Sequence, residues 1–512
     1  MRTSTSMTKT TGTDPWPDRI RRGVIDGGER ARRTWPQALL LALLVVLAIP
    51  AVLLVAPGFL GPEPPAPPPA APEWQQAPAT LSPHQGLRSL DASAAVPSRE
   101  SLTAQVDPLL KADGGGGFTG IVQDALTGQV LFDRGASEGR VPASNMKLLT
   151  AMAALRTLGP EHRFSTTVTA GPAAGQVVLT GGGDVLLGPG ESDAERVLGH
   201  AGLATLAART VEGLQARGTT GEVKVLVDDS LFTGPALNPA WQEGDVAAGE
   251  VAPLYPLALN SARFDPAVTT GPRPQDSAIT AAQEFAARLR EAGAAAGLTV
   301  AAGVERSPGA AQGGADGGSG ADPAVLAEVE SATVAQQVDL MLRESDNYLA
   351  EALGRLAALA TGQPGSNDGA TAAVQAQVAA AGIPADSMKL VDVCGLAMGN
   401  QVSARQFAEV VRAMTAGTDA RLREALDGFP VAGLTGTLDT RYGEGTTAGG
   451  AGLVRAKTGT LNTVLALSGY VVDADGRLLV FSFIGNGLTP GAAGNKVALD
   501  RAATALAACG CR

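Results

Sequence analysis

Three short stretches of the chain carry side chains whose types and spacing can do chemistry: Ser144-Asn145-Met146-Lys147, Ser345-Asp346-Asn347 and Lys457-Thr458-Gly459. On a helix, residues three apart share a face, so an amine at Lys147 stands beside the Ser144 hydroxyl. Burial and a nearby cation keep such an amine neutral, and it can then take the serine proton without any histidine. Arginine cannot do this because its guanidinium does not deprotonate in proteins. That choice matters in a chain with seven lysines among 39 Lys plus Arg. The three histidines offer no better base: His84 lies in a Pro-rich stretch, and His162 and His200 have no G-x-S-x-G serine to serve.

A serine in the first turn of a helix also gains from the positive end of the helix dipole, and its backbone N–H is free to donate. Lys457 is a cation on an apparent strand, suited to a substrate carboxylate and compact enough to hydrogen-bond Ser345 as well. Gly459 and the small Thr458 keep that strand shallow, so an extended peptide can lie alongside it. The N–H of Thr460 then faces the scissile carbonyl and, with that of Ser144, makes a two-donor oxyanion hole. Each motif alone is weak, since S-x-x-K arises about once by chance in a chain this long.

These residues need a helix for Ser144 and Lys147 and an edge strand for Lys457 to Thr460. The sequence provides for both. Gly117 to Asp133 has two β-rich runs around a turn at Ala125–Gly128, and Pro142 precedes apolar residues at helical spacing from Met146 to Leu155. At the far end, LVRAKTGTLN, the following hairpin and the Ala-rich run from Asn495 to Ala508 read as three antiparallel strands closed by a helix. Between these ends, Leu203–Ala216 reads as a helix and Gly221–Phe232 as a strand, and Arg306 to Pro323 reads as a flexible surface segment. Gly181-Gly182-Gly183-Asp184 lacks the Lys-Ser/Thr of a P-loop and reads as a turn.

The 512 residues, 45% hydrophobic, can bury one large core or several smaller ones. A net charge of −11 leaves no global basic field, which argues against a nucleic-acid partner. Cys394, Cys509 and Cys511 carry no zinc-ligand spacing, so neither a metal nor another cofactor is expected. Cys509 and Cys511 read more readily as incidental thiols than as a strained cross-link. Gln37 to Leu60 is uncharged and long enough to cross a hydrocarbon core, with Arg30, Arg32 and Arg33 just before it. A single-pass anchor is expected, with residues 1–36 cytoplasmic and the rest extracytoplasmic; a cleaved signal segment is the alternative. Residues 61–96 form a Pro/Ala-rich spacer.

The three motifs in this order are the set of penicillin-binding proteins and class A β-lactamases. With the flanks PASNMKLLTAMAALRTLGPEHRFSTTV, SDNYLAEAL, VRAKTGTLNTVLALSGYV and GFPVAGLTGTL, the chain resembles the low-molecular-mass D-alanyl-D-alanine carboxypeptidase/endopeptidases of serine peptidase family S13. About two hundred residues separate Ser144 from Ser345, room for an insert of ordinary domain size. The resemblance implies an α/β (α+β) transpeptidase fold, an antiparallel sheet flanked by helices. It implies a peptidase domain from 97–165 and 323–512 and accessory domains from 166–322. It also implies a mechanism: Lys147 deprotonates Ser144, Ser345 bridges Lys147 and Lys457 and passes a proton to the leaving amine, and Asn347 fixes Lys147 and the substrate amide. Lys457 with Thr458 and Thr460 holds the terminal carboxylate. Peptidoglycan stem peptides are the implied substrate and β-lactams the implied covalent inhibitors.

No glutamate occurs between Glu351 and Glu409, where a class A β-lactamase carries its deacylating residue, so a bound β-lactam is expected to stay. Two departures from the family pattern stand beside this. Asp392-Val393-Cys394-Gly395-Leu396 replaces Asp-Gly-Ser-Gly-Leu, and Val185 replaces a proline after G-G-G-D. Harmless drift is the favoured account, with a reactive Cys394 as the other. The competing functions are a β-lactamase or esterase-like serine hydrolase and a catalytically silent wall-binding scaffold.

Overall fold

The computed structural model describes residues 42–44, 90–307 and 324–510. The chain divides into two units, Met1–Pro83 and His84–Arg512. Of the first, only Ala42–Leu44 is described, as helix, so the expected anchor and spacer lie otherwise outside the described residues. Among the described residues no helix is long and apolar enough to cross a membrane.

The second unit begins with α1 (Arg99–Val106), capped by the Ser98 side chain, and the hairpin β1 (Gly115–Asp124) and β2 (Val130–Arg134). Next comes α2 (Met146–Thr157), whose residues Met146 to Leu155 are all buried, as in a helix with packing on every side. The long central segment adds β3 (Ser165–Ala170), β4 (Gln176–Gly181), α3 (Leu203–Ala216), β5 (Gly221–Asp228), α4 (Ser277–Gly293), β6 (Leu298–Val300) and β7 (Val325–Glu330). Helices α5 (Val334–Glu344), α6 (Asn347–Ala360), α7 (Asn367–Ala380) and α8 (Ala404–Ala416) follow. Strands β8 (Arg455–Leu461), β9 (Val464–Val472) and β10 (Leu478–Thr489) and helix α9 (Lys496–Ala508) close the fold.

A five-stranded antiparallel sheet runs in the order β8-β9-β10-β1-β2. Its side chains alternate between two cores, as the period of a strand requires. Ile121, Ala466, Val480 and Ile484 pack against the core of α2, α6 and α8. Phe118, Val122, Leu467, Phe481 and Phe483 pack on the other face, with α1 and α9. The second sheet, β6-β5-β4-β3-β7, is mixed: β3 is antiparallel to β4 and β7, and β5 is parallel to β4 and β6. Helices α3 and α4 supply its core through Leu206, Val211, Phe285 and Leu289.

Two sequence expectations need adjustment. Arg306, at the start of the stretch expected to be flexible, pairs with Asp229 and Asp276 at 2.7 and 2.9 Å and is held at the sheet beside Val227; residues 308–323 lie outside the described part. Cys509, read as an incidental thiol, is disulfide-bonded. Gly181-Gly182-Gly183-Asp184 is a turn at the end of β4: Gly183 has φ +109, and the buried Asp184 accepts the N–H of Leu186 at 2.8 Å.

Candidate active site

Ser144 does not sit on the α-helix itself but in a single 3-10 turn, Ala143–Asn145, that leads into α2. The turn is shaped from both sides. Ala143 has φ 47, a left-handed conformation that costs an L-residue roughly 1–2 kcal/mol. A side chain on Gly395 would come within 1.9 Å of the Ala143 carbonyl oxygen, and one on Gly459 within 2.9 Å of the Pro142 oxygen. The absent side chain at Gly459 therefore gives room to the serine turn, whereas the sequence reading assigned that clearance to a substrate. Asn145 fastens the turn to the sheet by donating from Nδ2 to Ser468 Oγ at 2.6 Å.

Lys147, one helical turn along, is fully buried and reaches three oxygens. Its Nζ lies 3.0 Å from Ser144 Oγ, 2.6 Å from Asn347 Oδ1 and 2.7 Å from the Cys394 carbonyl. A neutral amine has two N–H groups and one lone pair. With Asn347 and Cys394 accepting both N–H groups, the lone pair is left for the Ser144 hydroxyl. Burial holds Lys147 below the usual lysine range, against the opposing pull of Cys394, Asp392, Asp346 and Glu351.

Ser345 and Asn347 flank the break between α5 and α6. Ser345 ends α5 in the left-handed conformation, φ 58, and Asp346 caps α6 by accepting the N–H of Leu349 at 3.0 Å. The resulting kink points both side chains toward the sheet edge. Ser345 Oγ accepts from Lys457 Nζ at 3.0 Å, while Lys147 bonds Asn347. The expected bridge from Ser345 to both lysines is therefore present on the Lys457 side. Asn347 Nδ2 is occupied by the carbonyl of Glu250 at 2.9 Å.

Lys457 is fully buried on β8 and donates to Ser345 and to the Thr458 carbonyl at 2.8 Å. No carboxylate among the described residues lies within ion-pair distance of it. Burial, reinforced by the charge of Lys147, holds it well below the ordinary lysine range. β8 is the outer strand of its sheet. The N–H of Ala456 points away from β9 to the Pro430 carbonyl at 3.0 Å, so by alternation those of Thr458 and Thr460 face the same open edge. Thr458 Oγ1 meets Thr437 Oγ1 at 2.7 Å.

Two adjoining cavities share Ser144, Asn347, Thr460, Glu250 and Lys496. One, of about 580 Å³, is bordered by Asp245, Leu396 and Met398; the other, of about 380 Å³, by Arg263, Arg273, Arg441 and Thr437. Both ends of the cleft carry charge of both signs: Asp245, Glu250 and Lys496 border the first, and the second adds Glu344 and Asp346 to its arginines, of which Arg263 is paired with Asp346 and Arg441 with Asp500. Two of these carboxylates, Asp245 and Glu250, come from a segment in which the sequence offers no motif. Cys394, by contrast, is fully buried, and burial pushes its thiol well up, so it is no nucleophile.

Residues 102–301 and 273–506 match the model of the D-Ala-D-Ala carboxypeptidase 3 (S13) family. The chain belongs to that family. It is 36% identical over 453 residues to carboxypeptidase DacB of Mycolicibacterium smegmatis, covering 88% of this chain and 90% of the relative. It is 31% identical to a D-alanyl-D-alanine carboxypeptidase of an Actinomadura species, over 76% of this chain and 81% of that one. Penicillin-binding protein 4 of Haemophilus influenzae shares the fold, with a TM-score of 0.62 at 20% identity over 79% of this chain and 97% of that one.

Within this S13 chain, several groups at the site were invisible to motif reading. The Cys394 carbonyl is a backbone group on a distant loop, and Glu250, whose carbonyl accepts from Asn347, comes from the central segment. Gly395 had a signal, as the unchanged glycine of Asp392–Leu396. One trio, Glu351, Asp392 and Cys394, has ligand-type atoms within 4.8 Å of one another. It does not fit a metal ion. Asp392 already accepts at both oxygens, from Gly395 N and Asn400 Nδ2 and from Ala397 N and Trp241 Nε1, and the cluster is sealed from solvent.

Proposed function

We infer that the protein is a serine-type D-Ala-D-Ala carboxypeptidase that acts on peptidoglycan stem peptides through an acyl-enzyme. The observation that carries this is Lys147, whose two fixed N–H acceptors leave its lone pair on Ser144 Oγ at 3.0 Å. Lys147 takes the Ser144 proton as Oγ attacks the carbonyl of the penultimate D-Ala. The amides of Ser144 and Thr460 receive the developing oxyanion, an interaction worth about 3 kcal/mol per donor in other enzymes. The terminal carboxylate lies against Thr458 and Thr460, drawn by Lys457 buried behind them. It supplies the counter-charge that buried Lys457 otherwise lacks, and an ammonium at Lys457 favours the neutral form of Lys147. Ser345 then delivers a proton from the Lys457 side to the leaving amine, and water releases the shortened peptide.

The adjoining cavity of about 380 Å³, bordered by Thr437, Thr440 and Arg273, gives room beside Thr458 for a longer chain, and on that ground the reading extends to endopeptidase cutting of cross-linked peptides by the same serine. β-Lactams acylate Ser144 and leave slowly. The apolar run Gln37–Leu60 tethers the enzyme to the cell membrane with its catalytic part outside. Mass spectrometry of muropeptides incubated with the ectodomain distinguishes loss of one D-Ala from splitting of dimers. Fluorescent penicillin labels the wild type stoichiometrically and Ser144→Ala not at all; an unlabelled folded wild type would falsify the reading. Rapid hydrolysis of a chromogenic cephalosporin would favour a β-lactamase instead. Membrane fractionation with and without residues 1–60 tests the tether.

A further inference from the structure

Glu351 lies one turn after Asn347 on α6, on the same face of the helix, and is 1% exposed. Its Oε1 accepts two backbone N–H groups, those of Val393 and Cys394, each at 2.9 Å. Its Oε2 has no partner. It borders neither cavity of the cleft, so it touches no substrate. The carbonyl at the end of the clamped segment is that of Cys394, the second N–H acceptor of Lys147. The same segment is steadied from the lysine's own helix, where Thr150 Oγ1 donates to the Val393 carbonyl at 2.6 Å. One helix face therefore sets both acceptors of Lys147: Asn347 directly, and Cys394 through Glu351.

We propose that Glu351 is a positioning residue for acyl transfer, holding the Val393 and Cys394 amides so that the Cys394 carbonyl fixes Lys147 with its lone pair on Ser144. The inference rests on the acyl-transfer reading above. Without the clamp the segment keeps only the Thr150 bond to the Val393 carbonyl and the Asp392 bond to the Gly395 N–H, and the Cys394 carbonyl is less closely fixed as an acceptor of Lys147. The amine then samples rotamers in which its lone pair misses the hydroxyl. No bond changes at Glu351 itself; the proton moves only from Ser144 Oγ to Lys147 Nζ.

Glu351 also acts on Lys147 through charge. The ionisable groups around the pair are Asp346, the cap of α6, which faces Lys147, Arg355 on α6, which faces Glu351, and Asp392 and Cys394 on the clamped loop, which face both. Burial, with Asp392 beside it, pushes the Glu351 carboxyl up to about 7. Ionisation there raises the proton affinity of Lys147, so Glu351→Gln lowers it and moves the ascending limb of the acylation–pH profile to lower pH.

The test is the second-order acylation rate of wild type, Glu351→Gln and Glu351→Ala with fluorescent penicillin across the pH range, with Ser144→Ala as blank. Glu351→Gln keeps an oxygen acceptor for the two amides. It is expected to shift the limb down by about half a pH unit and to react well above Glu351→Ala, which falls by about tenfold or more. An unmoved limb in Glu351→Gln, or wild-type rates in a folded Glu351→Ala, overturns the proposal. If Glu351→Ala does not fold, Glu351→Asp takes its place: it keeps the charge but withdraws the carboxylate from the two amides, so a lower acylation rate with an unmoved limb is expected, and a wild-type rate overturns the proposal. Failure of the wild type to label condemns the acyl-transfer reading, whereas identical labelling of all three Ser144-bearing forms condemns only the role of Glu351.

Discussion

At the scale of single residues, the site turns on an amine that is kept neutral and aimed. Lys147→Arg retains a cation at the position but cannot accept a proton, so acylation by fluorescent penicillin is expected to fall by three orders of magnitude or more, as on loss of a general base and its alignment together. Lys457→Arg asks a different question. A planar guanidinium must fit where a compact amine nitrogen now lies between Ser345 Oγ and the Thr458 carbonyl with no solvent exposure. A loss of about tenfold or more in acylation is expected from overpacking; full activity would show that charge alone suffices. Because burial depresses the proton affinity of Lys147, the wild-type rate should rise with pH along a limb centred below the usual lysine range.

At the scale of elements, the serine turn, the β8 edge and the α5–α6 kink must meet within a few tenths of an ångström. Gly459→Ala puts a methyl 2.9 Å from the Pro142 oxygen and 3.0 Å from Ala143 Cβ, and both belong to the rigid turn that presents Ser144. The turn has to shift, so penicillin acylation should drop by at least tenfold, while far-UV circular dichroism stays unchanged. The kink is held from the central segment. Arg263 donates to Asp346 at 2.9 Å and Ser261 at 2.8 Å, and Asn260, Ser261 and Ala262 are all left-handed, with φ between 52 and 57. A run of three such non-glycine residues stands only because the fold over-determines it. The Ser261 N–H donates to Val185 O and the Asn260 N–H to Leu187 O, while Arg273 holds Ser261 O at 2.8 Å. Arg263→Ala removes the ion-pair partner of the nearly buried Asp346 carboxylate, at a cost of about 3 kcal/mol seen in urea unfolding.

At the scale of the whole molecule, buried carboxyl groups make stability depend on pH in a direction opposite to that of a surface ion pair. Burial raises Asp184 from 3.8 to about 7. A carboxyl raised on folding stabilises the native state below the unfolded value, and that contribution is lost as pH rises through the folded one. Unfolding free energy should therefore decline between about pH 4 and about pH 7, by on the order of 4 kcal/mol for Asp184 if it acts alone. Glu351 adds to the same slope. Asp184→Asn should flatten the curve, as read from urea midpoints at about pH 5 and about pH 8.

The sequence by itself determined the parts that depend on neighbours along the chain. The order and spacing of the three motifs, the hairpin at β1 and β2, helix α3 at Leu203–Ala216 and the closing strands and helix follow from local patterning, and local patterning is what periodicity reports. Lysine rather than arginine at 147 was decided at that level too, by the chemistry of the side chain. Only the tertiary structure decided which groups complete the site. The second N–H acceptor of Lys147 is a backbone carbonyl 247 residues away, and the group that steadies this carbonyl is a glutamate that never reaches the cleft. Gly459 makes room for the serine turn, and Asn347 and Asp346 are gripped by residues 250–263. None of these leaves a periodic or motif signal, because each is a contact between residues brought together only when two cores close on one sheet.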